Sequence, residues 1–188
     1  MQSLDLLLKN VSWDKEPEQQ LAKLKPFDNL SNKEIEELVS GKYVKSTEAG
    51  IVIRYLGFSK LSNYVLELLA FLEDGNWPAA GHVSIFLTSI GQPLIPSIQK
   101  VFQKEYEELW HYWILVMVVK FWDRPTIELI KDDLLKLVKK ADKEGAAIEA
   151  LRILKDSLSE TEFQKHYKHL LDRYKGDTYW LDELQTVL

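Results

Sequence analysis

Two stretches of the chain decide its fold: "AGIVIRYLGFSKLSNYVLELLAFL", residues 49–72, and "AGHVSIFLTSIGQPLIPSIQKVF", residues 80–102. Each stretch begins with Ala-Gly, continues as an apolar run with helical spacing, breaks at a glycine and resumes as a second run. The break falls at Gly57 in the first stretch and at Gly91 in the second. The Ala-Gly pairs lie 31 residues apart and the two glycines 34 apart, which indicates two copies of one helical hairpin.

The later part of the chain continues this pattern more loosely. A third copy can be traced through residues 109–138 and a fourth through residues 145–175. Two helices per unit at a period in the thirties are typical of a HEAT-like α-solenoid, in which neighbouring hairpins bury their apolar faces against each other. We therefore predict an all-α fold, a HEAT-like α-solenoid of antiparallel helix pairs.

The predicted solenoid has caps at both ends. We expect a single domain over residues 1–188, with an N-terminal helical cap at 1–46, HEAT-like repeats at 47–155 and a C-terminal helical cap at 156–188. Terminal units of a solenoid need polar outer faces, which the two acidic ends of the chain can supply.

Two short motifs predict where the cap helices begin. "SNKE" at Ser31 to Glu34 and "SETE" at Ser159 to Glu162 both have the spacing of a capping box. In that motif the serine hydroxyl accepts a hydrogen bond from the backbone N–H three residues later, and the glutamate reaches back to the serine N–H. We expect a helix to start after each serine.

The stretch "DGNWPAAGH", residues 74–82, lies between the two hairpins and can be read as a ligand loop or as an inter-helix turn. The turn explains all of it: Gly75 would follow a helix end in the left-handed conformation, and Pro78 would begin the next helix. Trp77 would cover the turn, and Gly81 would allow close helix approach. We favour the turn.

Composition excludes several classes of function. The 188 residues are 46% apolar, carry a net charge of −5 and include no cysteine, so a disulfide framework, a thiolate metal site and a cysteine nucleophile are excluded. The longest apolar run, at 113–119, is too short to span a membrane, and no basic face for nucleic acid is evident. The chain lacks a signal-peptide pattern, so we expect a cytoplasmic protein. It also lacks a phosphate-binding glycine loop and a dinucleotide fingerprint, so we expect no cofactor.

The stretch from Leu68 to Val101 also resembles a known bacterial family. The motif L-x-D-x-N-W-P-x-A, which runs from Leu72 to Ala80, is followed by "IGQPLIP", and the resemblance covers about residues 47 to 155. The family is a domain of unknown function with HEAT-like helical repeats. The resemblance implies a helical-repeat fold and no assigned activity, and some small bacterial proteins of this kind are suspected immunity or partner-binding proteins.

The aromatic segment "WHYWILVMVVKFW", residues 110–122, is compatible with a central core helix or with a cleft that binds a ligand. We favour the core. Its neighbourhood suggests an alternative function, because some HEAT-like DNA glycosylases that excise alkylated bases use tryptophans and an aspartate. Trp122 and Asp123 would have those roles here, although the acidic chain does not fit a basic DNA-binding surface.

A second alternative is a metal-dependent hydrolase. The candidate ligands are the four polar residues of one predicted helix: Glu162, His166, His169 and Asp172. Lysine and arginine side chains lie beside them and oppose a cation, and the spacing differs from that of zinc proteases. We therefore expect no metal.

We predict a non-catalytic protein-binding module. Immunity to a toxin is one role that such a module could have. A solenoid presents its second helices as one concave row, and mixed polar residues on that row suit a protein partner. The predicted partner-binding residues are Asn63, Glu67, Trp77, Gln99, Gln103, Lys131 and Asp132.

Overall fold

The computed structural model describes residues 3–188, and all regular secondary structure in that range is helical. The all-α prediction is confirmed. The chain forms two compact units, residues 1–90 and residues 91–188. Within the described range, no helix has both the length and the apolar character that crossing a bilayer requires.

The first unit is built around two longer helices. Its α-helices are α1 (Leu4–Leu8), α2 (Leu21–Leu24), α3 (Asn32–Val39), α4 (Thr47–Leu61), α5 (Val65–Ala70) and α6 (Ala80–Ile90). Short 3-10 turns connect them. Helix α4 packs along α6 and also contacts α3, so α4 is the centre of this unit.

Gly50 makes the contact between α4 and α6 possible. A methyl group at Gly50 would lie 2.9 Å from the carbonyl oxygen of Ala79 and 3.1 Å from the Cβ of His82. At Gly81, by contrast, a methyl group would meet nothing within 4 Å. The prediction that Gly81 allows close helix approach is therefore wrong, and Gly50 has that role.

The stretch at 74–82 is a turn, as predicted, although its details differ. Helix α5 ends at Ala70, and the only glycines at positive φ among the described residues are Gly57, Gly91, Gly145 and Gly176. Gly75 is therefore not in the left-handed conformation. The Asp74 carboxylate accepts a hydrogen bond from the Asn76 N–H at 2.9 Å. Half-buried Trp77 belongs to two successive turns, because its N–H donates to the Asp74 carbonyl oxygen and its carbonyl oxygen accepts from the Ala80 N–H at the start of α6.

The second unit has its own set of helices. They are α7 (Ile95–Phe102), α8 (Glu108–Met117), α9 (Arg124–Glu128), α10 (Lys131–Lys140), α11 (Ala146–Leu154), α12 (Glu160–Arg173) and α13 (Thr178–Gln185). Helix α11 packs against α10, α8 and α12, and six consecutive residues, 146–151, are buried. Helix α11 is thus the central helix of this unit.

The predicted local signals appear where expected. Ser31 and Ser159 both form complete capping boxes, at the starts of α3 and α12. Gly57 breaks α4 with φ 71°, and Gly91 separates α6 from the following turn with φ 66°. These backbone conformations favour glycine because a side chain at positive φ meets the backbone.

Candidate functional site

A wide cleft of the second unit lies beside α11. It has a volume of about 830 Å³, and we call it the α11 cleft. Its walls are formed by Lys120, Phe121, Trp122, Arg124, Ile127, Glu149, Arg152, Ile153, Asp156 and Ser157. A volume of this size lies within the range of binding pockets in proteins.

The aromatic wall of the α11 cleft forms because helix α8 ends before the aromatic segment does. The backbone leaves the helical conformation at Val118, and a single 3-10 turn at Val119–Phe121 follows. Trp110 and Ile114 remain in the core, whereas Phe121 is 63% exposed and Trp122 is 8% exposed at the cleft. Core and cleft therefore each describe one part of the segment.

The charges around the cleft divide into paired and unpaired groups. Arg152 forms an ion pair with Glu149, a carboxylate that is only 5% exposed, and donates a second hydrogen bond to Thr186 Oγ1 at 2.6 Å. Lys120 Nζ lies 5.1 Å from the centroid of the Phe121 ring. Within residues 3–188, neither Lys120 nor Arg124 has a hydrogen bond or an ion pair. Both cations of the lining are thus available to a ligand.

Trp122 and Asp123 have different positions relative to the cleft. Trp122 lines it, and its indole nitrogen is buried without a hydrogen-bond partner among the described residues. Asp123 is absent from the lining and caps helix α9, its carboxylate accepting a hydrogen bond from the Thr126 N–H at 3.0 Å. Hydrogen bonds from Thr126 lower the pKa of Asp123, so this carboxylate is ionised and occupied as a cap.

A second, smaller cavity lies on another side of α11. It has a volume of about 330 Å³, and we call it the aromatic cavity. Its lining is Tyr112, Lys143, Glu144, Gly145, Ile148, Glu149, Arg152, Tyr179, Trp180 and Glu183. Glu149 and Arg152 thus border both spaces, and helix α13 supplies one wall of the aromatic cavity.

The residues proposed as metal ligands lie along α12 without converging. In residues 3–188, no three histidine, aspartate or glutamate side chains are grouped so that they could hold a metal ion. His169 Nε2 is 3.2 Å from the Lys139 carbonyl oxygen. Burial, together with the nearby cations Lys165 and Lys139, lowers the pKa of His166. Glu162 is engaged in its capping box.

The predicted partner-binding residues fall into both units. In the first unit, Asn63 and Glu67 are exposed on the turn before α5 and on α5 itself, while Trp77 is half-buried at its turn. Glu67 has no hydrogen bond or ion pair within the described range. These side chains are accessible, as a contact surface requires.

In the second unit, the predicted residues are partly engaged with their neighbours. Gln99 donates a hydrogen bond to Asp133 at 2.7 Å, and Lys131 donates one to the Ser157 carbonyl oxygen at 2.7 Å. Gln103 and Asp132 are exposed. Ser157 lines the α11 cleft, so Lys131 is hydrogen-bonded to a residue of the cleft wall.

Sequence reasoning missed Glu149, Arg152 and the exposed position of Phe121. At helical spacing Phe121 would share a face with Trp110, but only if α8 continued through Val118, and α8 ends at Met117. The alternation of charge in "EALR", with Glu149 and Arg152 three residues apart, is a signal for an ion pair on one helix face. Nothing in the sequence shows that this face borders two spaces.

Comparison with known proteins gives one match. A family model described as "Domain of unknown function (DUF5071)" matches residues 46–158, which include every residue that lines the α11 cleft. No curated protein and no solved structure matches the chain. The matched segment covers more than half of the 188 residues and differs by only a few residues from the range of the resemblance. The chain therefore belongs to the DUF5071 family, a domain of unknown function.

Proposed function

We propose that this chain is a non-catalytic protein-binding module and that its partner docks in the α11 cleft. The observation that carries the proposal is Phe121, an aromatic side chain that is 63% exposed and lines an 830 Å³ cleft together with Lys120 and Arg124, two cations without an anionic partner in residues 3–188. Aromatic and arginine side chains are enriched at protein interfaces.

The chemistry of the cleft suits recognition of an acidic segment with an apolar anchor. Phe121, Trp122 and Ile127 supply apolar surface, and Lys120 and Arg124 supply charge without an internal partner. A carboxylate of the partner would pair with Arg124 in two hydrogen bonds, while an apolar side chain would cover the Phe121 ring. Asp156, which also lines the cleft, would limit the number of acidic residues that the cleft accepts.

The arrangement of the carboxylates favours binding over catalysis. Asp123, the residue that the glycosylase alternative needs, is a helix cap, and Glu149 is paired with Arg152. Neither carboxylate is placed as a free base or nucleophile in the cleft. The same argument applies to Glu162 of the hydrolase alternative, which is held in a capping box.

The predicted concave row remains a second proposed contact surface. We propose that the helix pairs of residues 47–155 stack as a HEAT-like α-solenoid, with Asn63, Glu67, Trp77, Gln99, Gln103, Lys131 and Asp132 on the row that faces a partner. Exposed Asn63, Glu67, Gln103 and Asp132 support this proposal. A cytoplasmic location and an immunity role are part of the same hypothesis, and a toxin gene next to the coding gene would support the latter.

The test is affinity purification from the native host with three baits. Wild-type chain should recover a specific protein, Phe121→Ala combined with Arg124→Glu should lose it, and Arg173→Glu should retain it. Arg173 is an exposed cation of the same unit that lines neither space beside α11, so it controls for charge alone.

A fourth bait separates the two surfaces. If Glu67→Lys, Gln99→Lys and Lys131→Glu together abolish recovery while the Phe121 variant does not, the concave row is the interface and the α11 cleft is not. A partner that every variant retains would refute both surfaces.

A further inference from the structure

The aromatic cavity is distinct from the proposed docking cleft in both shape and charge. Three aromatic side chains border it, Tyr112 from α8 and Tyr179 and Trp180 from α13. The Trp180 ring makes an edge-to-face contact with Tyr179, at a centroid distance of 4.8 Å, and stacks on Tyr174 at 5.9 Å. These contacts fix the Trp180 ring in place.

The backbone at Gly145 lies close to two aromatic rings of the lining. Gly145 has φ 91°, and a methyl group on it would lie 3.1 Å from the Trp180 ring and 3.5 Å from the Tyr112 ring. The α-carbon of Gly145 therefore sits against both rings, where no larger residue fits without displacing them.

The charges of the lining are acidic on balance. The lining contains three carboxylates, Glu144, Glu149 and Glu183, and two cations, Lys143 and Arg152. Glu149 and Arg152 neutralise each other in an ion pair. The side chains of Glu144, Glu183 and Lys143 make no hydrogen bond or ion pair within residues 3–188, which leaves one negative charge in excess.

We infer that the aromatic cavity binds the guanidinium group of an arginine side chain presented by a protein partner. A planar cation stacks on tyrosine and tryptophan faces and gains from the ring quadrupole, and its N–H groups match a carboxylate in a bidentate pair. Tyr179, which is 62% exposed, and Trp180 supply the rings, and Glu183 supplies the carboxylate from the same helix. Lys143 opposes the guanidinium and weakens its binding.

This site does not rest on the proposed docking cleft, because none of Tyr112, Tyr179, Trp180 and Glu183 lines that cleft. It also uses α13, which lies outside the residues 46–158 that the family model matches.

The experiment is a titration of labelled protein with capped tripeptides, followed by NMR at the indole N–H of Trp180. The probes are acetyl-Ala-Arg-Ala-amide, the citrulline analogue, which has the same shape without the charge, the lysine analogue, and free putrescine. We expect the arginine peptide to shift the Trp180 resonance and to bind at least about five-fold more tightly than any other probe. Equal binding of citrulline, lysine or putrescine, or no shift up to about 10 mM arginine peptide, would overturn the inference.

Variants locate the binding. Glu183→Gln should weaken binding of the arginine peptide about five-fold, whereas Asp182→Asn, one residue earlier on α13 and outside the lining, should leave it unchanged. Tyr179→Phe should retain binding and Tyr179→Leu should weaken it, because only the latter removes the ring. Lys143→Gln should tighten binding about two-fold, a gain that misfolding cannot produce. Loss of binding in Asp182→Asn, or no gain in Lys143→Gln, would contradict the site.

The outcome is separable from that of the docking cleft. Phe121→Ala combined with Arg124→Glu should bind the arginine peptide as wild type does, since neither residue lines the aromatic cavity. A failed titration with the arginine peptide would therefore not change the conclusion from the affinity purification with the Phe121 and Arg124 variant. A failed purification would likewise not change the conclusion about the arginine site.

Discussion

Gly145→Ala should destabilise the second unit more than Gly176→Ala does, although both glycines have nearly the same backbone conformation. Gly145 has φ 91° and Gly176 has φ 93°, so an alanine at either position carries nearly the same backbone penalty, on the order of 1–2 kcal/mol. At Gly176 the added methyl group meets nothing within 4 Å. At Gly145 it lies 3.1 Å from one Trp180 ring atom and 3.3 Å from another, closer than the favourable separation of about 3.5–4.0 Å.

The difference between the two variants measures the packing of Trp180 on the backbone. Overpacking of this kind costs about 1–3 kcal/mol, so we expect Gly176→Ala to lose about 1–2 kcal/mol and Gly145→Ala about 2–5 kcal/mol in free energy of unfolding. Urea denaturation followed by circular dichroism gives both values. Equal losses in the two variants would show that the Trp180 ring is not held against Gly145, and the rigid wall of the aromatic cavity would then be refuted.

Three further predictions concern the helices. Gly50→Ala should lower the free energy of unfolding by about 2 kcal/mol or more, because the added methyl group would meet the backbone of Ala79. Gly81→Ala, where the methyl group meets nothing within 4 Å, should be neutral or stabilising by about 0.5–1 kcal/mol. Equal effects of the two variants in urea denaturation would contradict the assigned roles. Ser159→Ala should cost about 1 kcal/mol through loss of the cap on α12, and a Ser157→Ala control, whose hydroxyl caps no helix, should cost less. His111 is buried with its Nδ1 unpartnered, and burial lowers its pKa, so the unfolded chain takes up a proton more readily than the folded chain does. The free energy of unfolding should therefore be highest above about pH 6.5 and decline as the pH falls below that value. His111→Gln should reduce this decline in denaturation measured from about pH 7 to 5.

Local signals in the sequence predicted local structure well. The capping boxes at Ser31 and Ser159 and the breaks at Gly57 and Gly91 depend on residues within about four positions, so the sequence contains the whole interaction. The exchange of roles between Gly50 and Gly81 could not be predicted, because both follow an alanine at the start of an apolar run. Only the packing of α4 on α6 decides which glycine faces the other helix.

The candidate site was predictable only in part, for the same reason. The sequence indicated that the segment 110–122 is important and that Trp122 belongs to core or cleft. It did not indicate that α8 ends at Met117, because Val118 and Val119 continue the apolar pattern while the backbone leaves the helix. The packing of α11 on α8 brings the ion pair of Glu149 and Arg152 into the same cleft as Phe121 and Trp122. These residues lie about thirty positions apart in the chain, so no local pattern in the sequence could show that they line one cleft.

The central claim, that a protein partner docks on Phe121 in the α11 cleft, is tested most directly by the affinity of the purified partner for three forms of this chain. Isothermal titration calorimetry with wild type, Phe121→Ala and Phe58→Ala is the measurement, Phe58 being an exposed phenylalanine of the first unit that lines no cleft beside α11. We predict that Phe121→Ala raises the Kd about thirty-fold or more, which corresponds to about 2 kcal/mol, while Phe58→Ala stays within about two-fold of wild type. A Kd for Phe121→Ala that equals the wild-type value would contradict the claim.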